Sequence, residues 1–160
     1  DERSPNAGTA AHLIDDLAGS CGLAPAERQP RLFPPPELIQ KTLAIYQLDK
    51  ATGSGHRLIA INGGHSWPVK EWPANKWQEL ADRLHAEYPR LTIIQFGLTN
   101  GPADALEQLR GVRLFSNRLQ PAELVALVAA CDLVISIDSG PIHIAGAVEG
   151  WPCTPVVAWI

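Results

Sequence analysis

From residue 57 onward the chain alternates short apolar runs with amphipathic segments, and this alternation constrains the fold more than any other feature. The runs fall at 58–62, 91–96, 112–115, 133–137 and 155–160, each bounded by turn residues. Runs this short and this continuously apolar read as strands buried on both faces of a parallel sheet. Residues 73–87, 103–109, 121–130 and 141–148 fit helices between them. Pro73, Pro121 and Pro141 stand near the helix starts, where a missing N–H removes no helical hydrogen bond. Strand and helix alternating at these lengths make β-α-β units, hence an α/β fold with a Rossmann-like, doubly wound parallel sheet. Right-handed crossovers make 3-2-1-4-5 the expected strand order.

The first fifty residues differ. Residues 10–20 carry Leu13 and Leu17 at helical spacing, and Gly22 suits the end of that helix. A proline-rich stretch, 25–36, leads to a second helix opened by Pro36 and reaching about residue 48. Residues 1–50 are therefore expected to be the tail of a preceding domain, a crossover linker and a packing helix. Residues 51–160 form the binding domain. A start in polar sequence without Met and an end on an apolar run point to a piece of a longer protein, cut before its last helices. An apolar surface is expected at that edge.

Composition narrows the function classes. With a net charge of −4 and no basic cluster, the chain has no general attraction for nucleic acid or an anionic membrane. The three cysteines, Cys21, Cys131 and Cys153, are odd in number and far apart, and the histidines do not cluster near them. That argues against a disulfide scaffold or a zinc site and for a reducing, cytoplasmic setting. The longest apolar stretch, 123–137, contains Asp132 and is too short for a transmembrane segment.

In an open α/β sheet, ligands bind beyond the carboxyl ends of the strands where the strand order reverses. Here that point lies between the first and fourth strands, and the two most unusual loops leave these strands. One runs Gly63-Gly64-His65-Ser66-Trp67-Pro68-Val69-Lys70-Glu71-Trp72-Pro73, the other Asp138-Ser139-Gly140-Pro141-Ile142-His143. In the second loop, Gly140 allows a tight turn and an approach unobstructed by a Cβ. Free N–H groups at a helix start attract anions. Pro141 has none, so the donors are those of Ser139, Gly140 and Ile142. His143 lies one turn in and has a ring N–H to offer the same anion. The alternative is a plain Ser N-cap with a histidine buried under the turn. Asp138 either ties down the turn amides or meets a sugar hydroxyl. In the first loop, Ser66 and Lys70 are candidate phosphate ligands; a solvated surface lysine is the competing reading. Trp77 reads as core, Trp72 as packing at the helix start, and Trp67 as a wall of the crevice. The turns 97–101 and 116–118 open near the same site. His12, His56 and His85 read as surface residues.

Taken together, Asn62-Gly63-Gly64-His65-Ser66, Lys70-Glu71-Trp72-Pro73, Trp77 with Leu80, Ala81 and Leu84, and Asp138-Ser139-Gly140-Pro141-Ile142-His143-Ile144-Ala145 resemble glycosyltransferase family 9, the ADP-heptose:lipopolysaccharide heptosyltransferases. The resemblance covers about residues 57–160. It implies one half of a GT-B architecture, the C-terminal domain that holds the nucleotide-sugar donor. Ser66 and Lys70 would then meet the diphosphate, Ser139, Gly140 and the following helix start would cradle it, with His143 beside them, and Asp138 would lie against the sugar. The acceptor glycolipid and the general base belong to an N-terminal domain, so no catalytic residue can be named. The implied reaction is transfer of a sugar, heptose from an ADP-linked donor, with inversion, for lipopolysaccharide biosynthesis, in the cytoplasm or at the inner face of its membrane. No Asp-x-Asp motif is present, which agrees with a transferase that needs no metal or other cofactor. The piece alone is expected to bind nucleotide weakly and to transfer nothing. A non-catalytic nucleotide-binding or regulatory module on the same fold is the competing reading. A Ser139/His143 hydrolase is a poorer fit, because Ile137 occupies the first glycine position of the nucleophile elbow.

Overall fold

The computed structural model describes residues 13–24, 30–48, 55–63, 71–97, 108–115, 118–148 and 154–157. Two compact units are present, Asp1–Pro30 and Arg31–Ile160. In the first, helix α1 (Leu13–Ser20) stops at Gly22. The glycine takes φ 70°, and the amides of Gly22 and Leu23 return to Gly19 and Ala18 at 3.1 and 2.8 Å. This left-handed closure of a helix end is what glycine favours.

The second unit contains, in order, α2 (Pro36–Ile45), β1 (Arg57–Asn62), α3 (Ala74–Glu87), β2 (Leu91–Gln95), β3 (Arg113–Leu114), α4 (Pro121–Ala130), β4 (Leu133–Ser136), α5 (Gly140–Ala147) and β5 (Thr154–Val157). All strand pairings are parallel, and the order is β3-β2-β1-β4-β5, as the crossover rule requires. Strand β3 is shorter than its apolar run. Of the helix expected at 103–109, only residues 108 and 109 are described, and they are not helical. The packing helix α2 falls inside this unit, whose first residue is Arg31.

The two-residue period of a strand sorts its side chains between two helical layers. Leu58, Ala60, Ile94, Phe96 and Val134 pack with α2 and α4 on one face. Ile59, Ile61, Leu91, Ile93 and Ile135 pack with Trp77 and Ala81 of α3 on the other. Because both faces are covered, β1 is buried from Leu58 through Asn62, and no polar alternation appears in its sequence. Full burial of each Leu or Ile contributes about 1.5–3 kcal/mol. Gln120 precedes α4 and donates its backbone N–H to Glu123 at 2.9 Å, half of a capping box that fixes where the helix begins. Arg113 donates to the carbonyls of Tyr46 and Gln47. A cation there meets the negative end of α2 and ties it to the sheet edge.

Candidate functional site

Register decides what meets at the switch point. Parallel pairing sets Asn62, the last residue of β1, against Ser136, the last residue of β4. The Asn62 side-chain amide donates to Ser139 Oγ at 2.7 Å and to Ser136 Oγ at 3.0 Å. The Ser136 hydroxyl donates to the Ile137 carbonyl at 2.7 Å. Ser139 Oγ lies 3.2 Å from the same carbonyl and 3.3 Å from Ser136 Oγ. Asn62 and Ser136 are buried and Ser139 is half-buried. Each satisfied bond of this kind contributes about 0.5–1.5 kcal/mol net. Their arrangement matters more: because Asn62 fills a lone pair of Ser139 Oγ, the Ser139 proton remains available to an acceptor.

Ser139 is the N-cap of α5, in extended conformation at φ −161° and ψ 175°, with no side-chain capping bond. Helix α5 begins at Gly140, so Pro141 is its second residue rather than its first. The Ile142 amide is not free, as the sequence reading had it; it donates to the Ser139 carbonyl at 3.2 Å. The anion-binding donors at this helix start reduce to the amides of Ser139 and Gly140, which have no partner among the described residues. Gly140 does not need a left-handed φ, so the turn itself does not require glycine. A Cβ added there would meet nothing within 4 Å, so the space in front of it is open. His143 is exposed, which excludes the histidine buried under the turn. Asp138 is half-buried on the bend between β4 and α5. Ser66 and Lys70, with the rest of 64–70, lie outside the described residues, as does most of 97–101.

Beside this helix start is a cavity of about 450 Å³, within the roughly 300–1,000 Å³ usual for small-molecule sites. Phe96, Phe115, Leu119, Leu124 and Ile144 form its apolar walls; Asn62, Ser139 and Gly140 give it a polar end. Gly97, the first residue of the third loop singled out, lines it too. Tyr46 supports the Phe115 wall edge-on, with ring centroids 5.1 Å apart. Its hydroxyl shares a proton between Glu123 at 3.0 Å and the Arg118 carbonyl at 3.2 Å. Burial first, and then the Glu123 hydrogen bond, hold the phenol above its ordinary range, so it stays protonated and keeps this bond.

Asn62 is the residue that sequence reasoning missed as a member of the site. An asparagine closing an apolar strand and preceding Gly-Gly was the available signal. Two histidines read as plain surface residues have partners: His56 bonds Thr92 Oγ1 at 2.8 Å and His85 meets the Gly111 carbonyl at 3.2 Å. Both lie away from the cavity lining. Ser139 has Asn62, Ser136 and Ile137 as its described partners and no histidine among them, so it lacks the base a nucleophilic serine needs.

Known proteins agree with this geometry. Residues 32–158 match the family model for glycosyltransferase family 9 (heptosyltransferase). Lipopolysaccharide heptosyltransferase 2 of Salmonella typhimurium is 26% identical over 128 residues, covering 76% of this chain and 37% of that protein. The structure of the Escherichia coli ADP-heptose lipopolysaccharide heptosyltransferase II superposes with a TM-score of 0.63 at 25% identity, over 82% of this chain and 41% of that one. A family 9 glycosyltransferase from Veillonella parvula shares the fold at a TM-score of 0.62 and 19% identity, over 89% of this chain and 47% of its own. The chain thus spans less than half the length of these relatives. With a matching model over most of its length and the switch-point loops in the expected places, the chain belongs to glycosyltransferase family 9.

Proposed function

We propose that this chain is the donor-binding domain of an inverting glycosyltransferase, which moves heptose from an ADP-linked donor to a lipopolysaccharide-type acceptor. The observation that carries this reading is the juxtaposition of an open helix start at Ser139 and Gly140 with an apolar-walled cavity of about 450 Å³. A nucleotide needs both: a flat apolar slot for its base and backbone donors for its phosphates. The base enters between Phe96, Phe115 and Leu124. The diphosphate reaches the amides of Ser139 and Gly140 and the Ser139 hydroxyl that Asn62 orients. Ser66 and Lys70 meet it from the β1 side, His143 from the first turn of α5, and Asp138 lies against the sugar.

In such a transfer the bond between the anomeric carbon and the diphosphate breaks, and negative charge grows on the departing oxygen. Donors already fixed in place stabilise that charge without reorganising. Lys70 and the α5 amides do this here, with no metal ion or other cofactor. The acceptor hydroxyl and the general base come from an acceptor domain. The domain described here therefore binds the donor and does not complete the transfer alone. The enzyme works in the cytoplasm at the membrane's inner face; among the described residues no helix is long and apolar enough to cross a membrane.

Calorimetric titration of the intact protein with ADP, UDP and GDP tests the reading. ADP is expected to bind tightest, and Lys70→Ala to weaken it by about tenfold or more, the equivalent of ~1.4 kcal/mol or greater. Equal affinity for all three nucleotides favours a general nucleotide-binding module. Unchanged binding by Lys70→Ala removes Lys70 from the site.

A further inference from the structure

Trp77 is 4% exposed, yet its indole N–H has no acceptor among the described residues. A buried donor without a partner is disfavoured and rare, so the ring must be held where it is by shape rather than by polar bonding. Two contacts supply that shape. Trp72 meets it edge-on, with centroids 4.9 Å apart and planes at 81°. Gly63 lies directly over its pyrrole edge: a Cβ at position 63 would fall 2.7 Å from Trp77 Nε1, 2.9 Å from Cε2 and 3.2 Å from Cδ1. Gly63 has no left-handed φ. Glycine stands there for room, and Trp77 is what takes the room.

Position 63 directly follows Asn62, whose amide holds Ser139 Oγ at 2.7 Å. The point where β1 leaves the sheet is therefore fixed from two sides, by the Asn62 bond to the β4 exit and by the indole of α3 beneath Gly63. We propose that Trp77 is a positioning residue for the nucleotide site: its rigid ring beneath Gly63 sets the direction in which β1 leaves the sheet, and thereby the Asn62 amide that aims Ser139. This rests on the donor-binding function proposed above. Trp77 touches no ligand in this role; it acts through Gly63 and Asn62 by preorganisation.

A double-mutant cycle in the intact protein tests it, with ADP affinity and thermal midpoint both measured. Gly63→Ala forces its Cβ into the ring and is expected to weaken ADP binding by about tenfold or more in molecules that remain folded. Trp77→Phe removes Nε1 and its edge, and alone should weaken binding by only about two- to fivefold. The pair together is expected to bind ADP better than Gly63→Ala does, because the smaller ring admits the new Cβ. A merely structural contact moves the thermal midpoint and leaves the Kd of the folded protein alone; that result overturns the proposal. So does a double variant that binds no better than Gly63→Ala. If Gly63→Ala does not fold, recovery of both folding and ADP binding in the double variant supports the proposal, and failure to recover them overturns it. Loss of ADP binding in the unsubstituted protein is a different outcome. It overturns the donor-binding reading, and this inference with it.

Discussion

Strands β1 and β4 are cross-linked by polar side chains at both ends, and the two ends are built differently. At the amino end, Asp132 accepts the Leu58 amide at 2.8 Å while its own amide returns to the Leu58 carbonyl at 2.8 Å. Arg57 lies 3.5 Å from the other carboxylate oxygen. This clip is closed: the carboxylate is turned to a backbone donor and a cation of the same strand. At the carboxyl end, Asn62 joins Ser136 and Ser139, and the group faces a cavity. Its hydroxyl proton and two amides are left for something that is not protein. The same strand pair thus spends its hydrogen bonds on the fold at one end and reserves them for a ligand at the other, as expected for a sheet that binds beyond its carboxyl ends.

The largest effect should come from breaking the closed end. Asp132→Ala strands the amide of Leu58, a residue only 1% exposed. An orphaned buried N–H costs about 1–3 kcal/mol. Denaturant unfolding should show that loss with an unchanged slope, while nucleotide affinity of the folded protein stays as it was. A parallel fall in ADP affinity would mean that the two ends are not separable.

Next comes the open end. Asn62→Asp replaces a donor by an anionic acceptor, so the Ser139 proton turns back toward residue 62 and a negative charge faces the diphosphate. ADP affinity should fall by about tenfold or more, ~1.4 kcal/mol. Burial raises a carboxyl pKa by disfavouring the charged form. Protonation of the new carboxyl restores a donor, so affinity should recover, relative to the unsubstituted protein, as the pH is lowered. Titrations at several pH values check both the loss and the sign of the recovery.

The difference between the two ends also marks what could be read from the sequence. The strand order followed from apolar runs and crossover handedness, because a strand covered on both faces must be apolar at every position. Ser139 and Gly140 were legible for a local reason, a serine and a glycine between a strand and a helix. Asn62 was not, since its role exists only once β1 and β4 pair in register and bring it against Ser136. The amide of Ile142 looked free because its partner, the Ser139 carbonyl, depends on how the first turn of α5 closes. Trp77 was legible as core, but the space it takes beneath Gly63 is a matter of backbone path. His56 and His85 found partners on β2 and at Gly111, contacts between segments that no spacing in the chain announces. The roles of Ser66 and Lys70 rest on the sequence, since both lie outside the described residues.

The smallest effect belongs to Arg57, and it separates the two halves of the closed clip. Its side chain is 61% exposed against 17% for Asp132, at 3.5 Å. An ion pair so open to water is screened, and contributes about 0–1 kcal/mol. The Asp132 bond to the Leu58 amide is shorter and lies under the sheet edge. Arg57→Ala should therefore lower stability by less than about 1 kcal/mol, an amount that shrinks further as salt screens the pair. Asp132→Ala should stay costly at every ionic strength. Unfolding both variants at low and high salt makes the distinction: if Arg57→Ala matches Asp132→Ala, the clip is held by charge, and its resemblance to the neutral Asn62 group at the other end is closer in position than in physics.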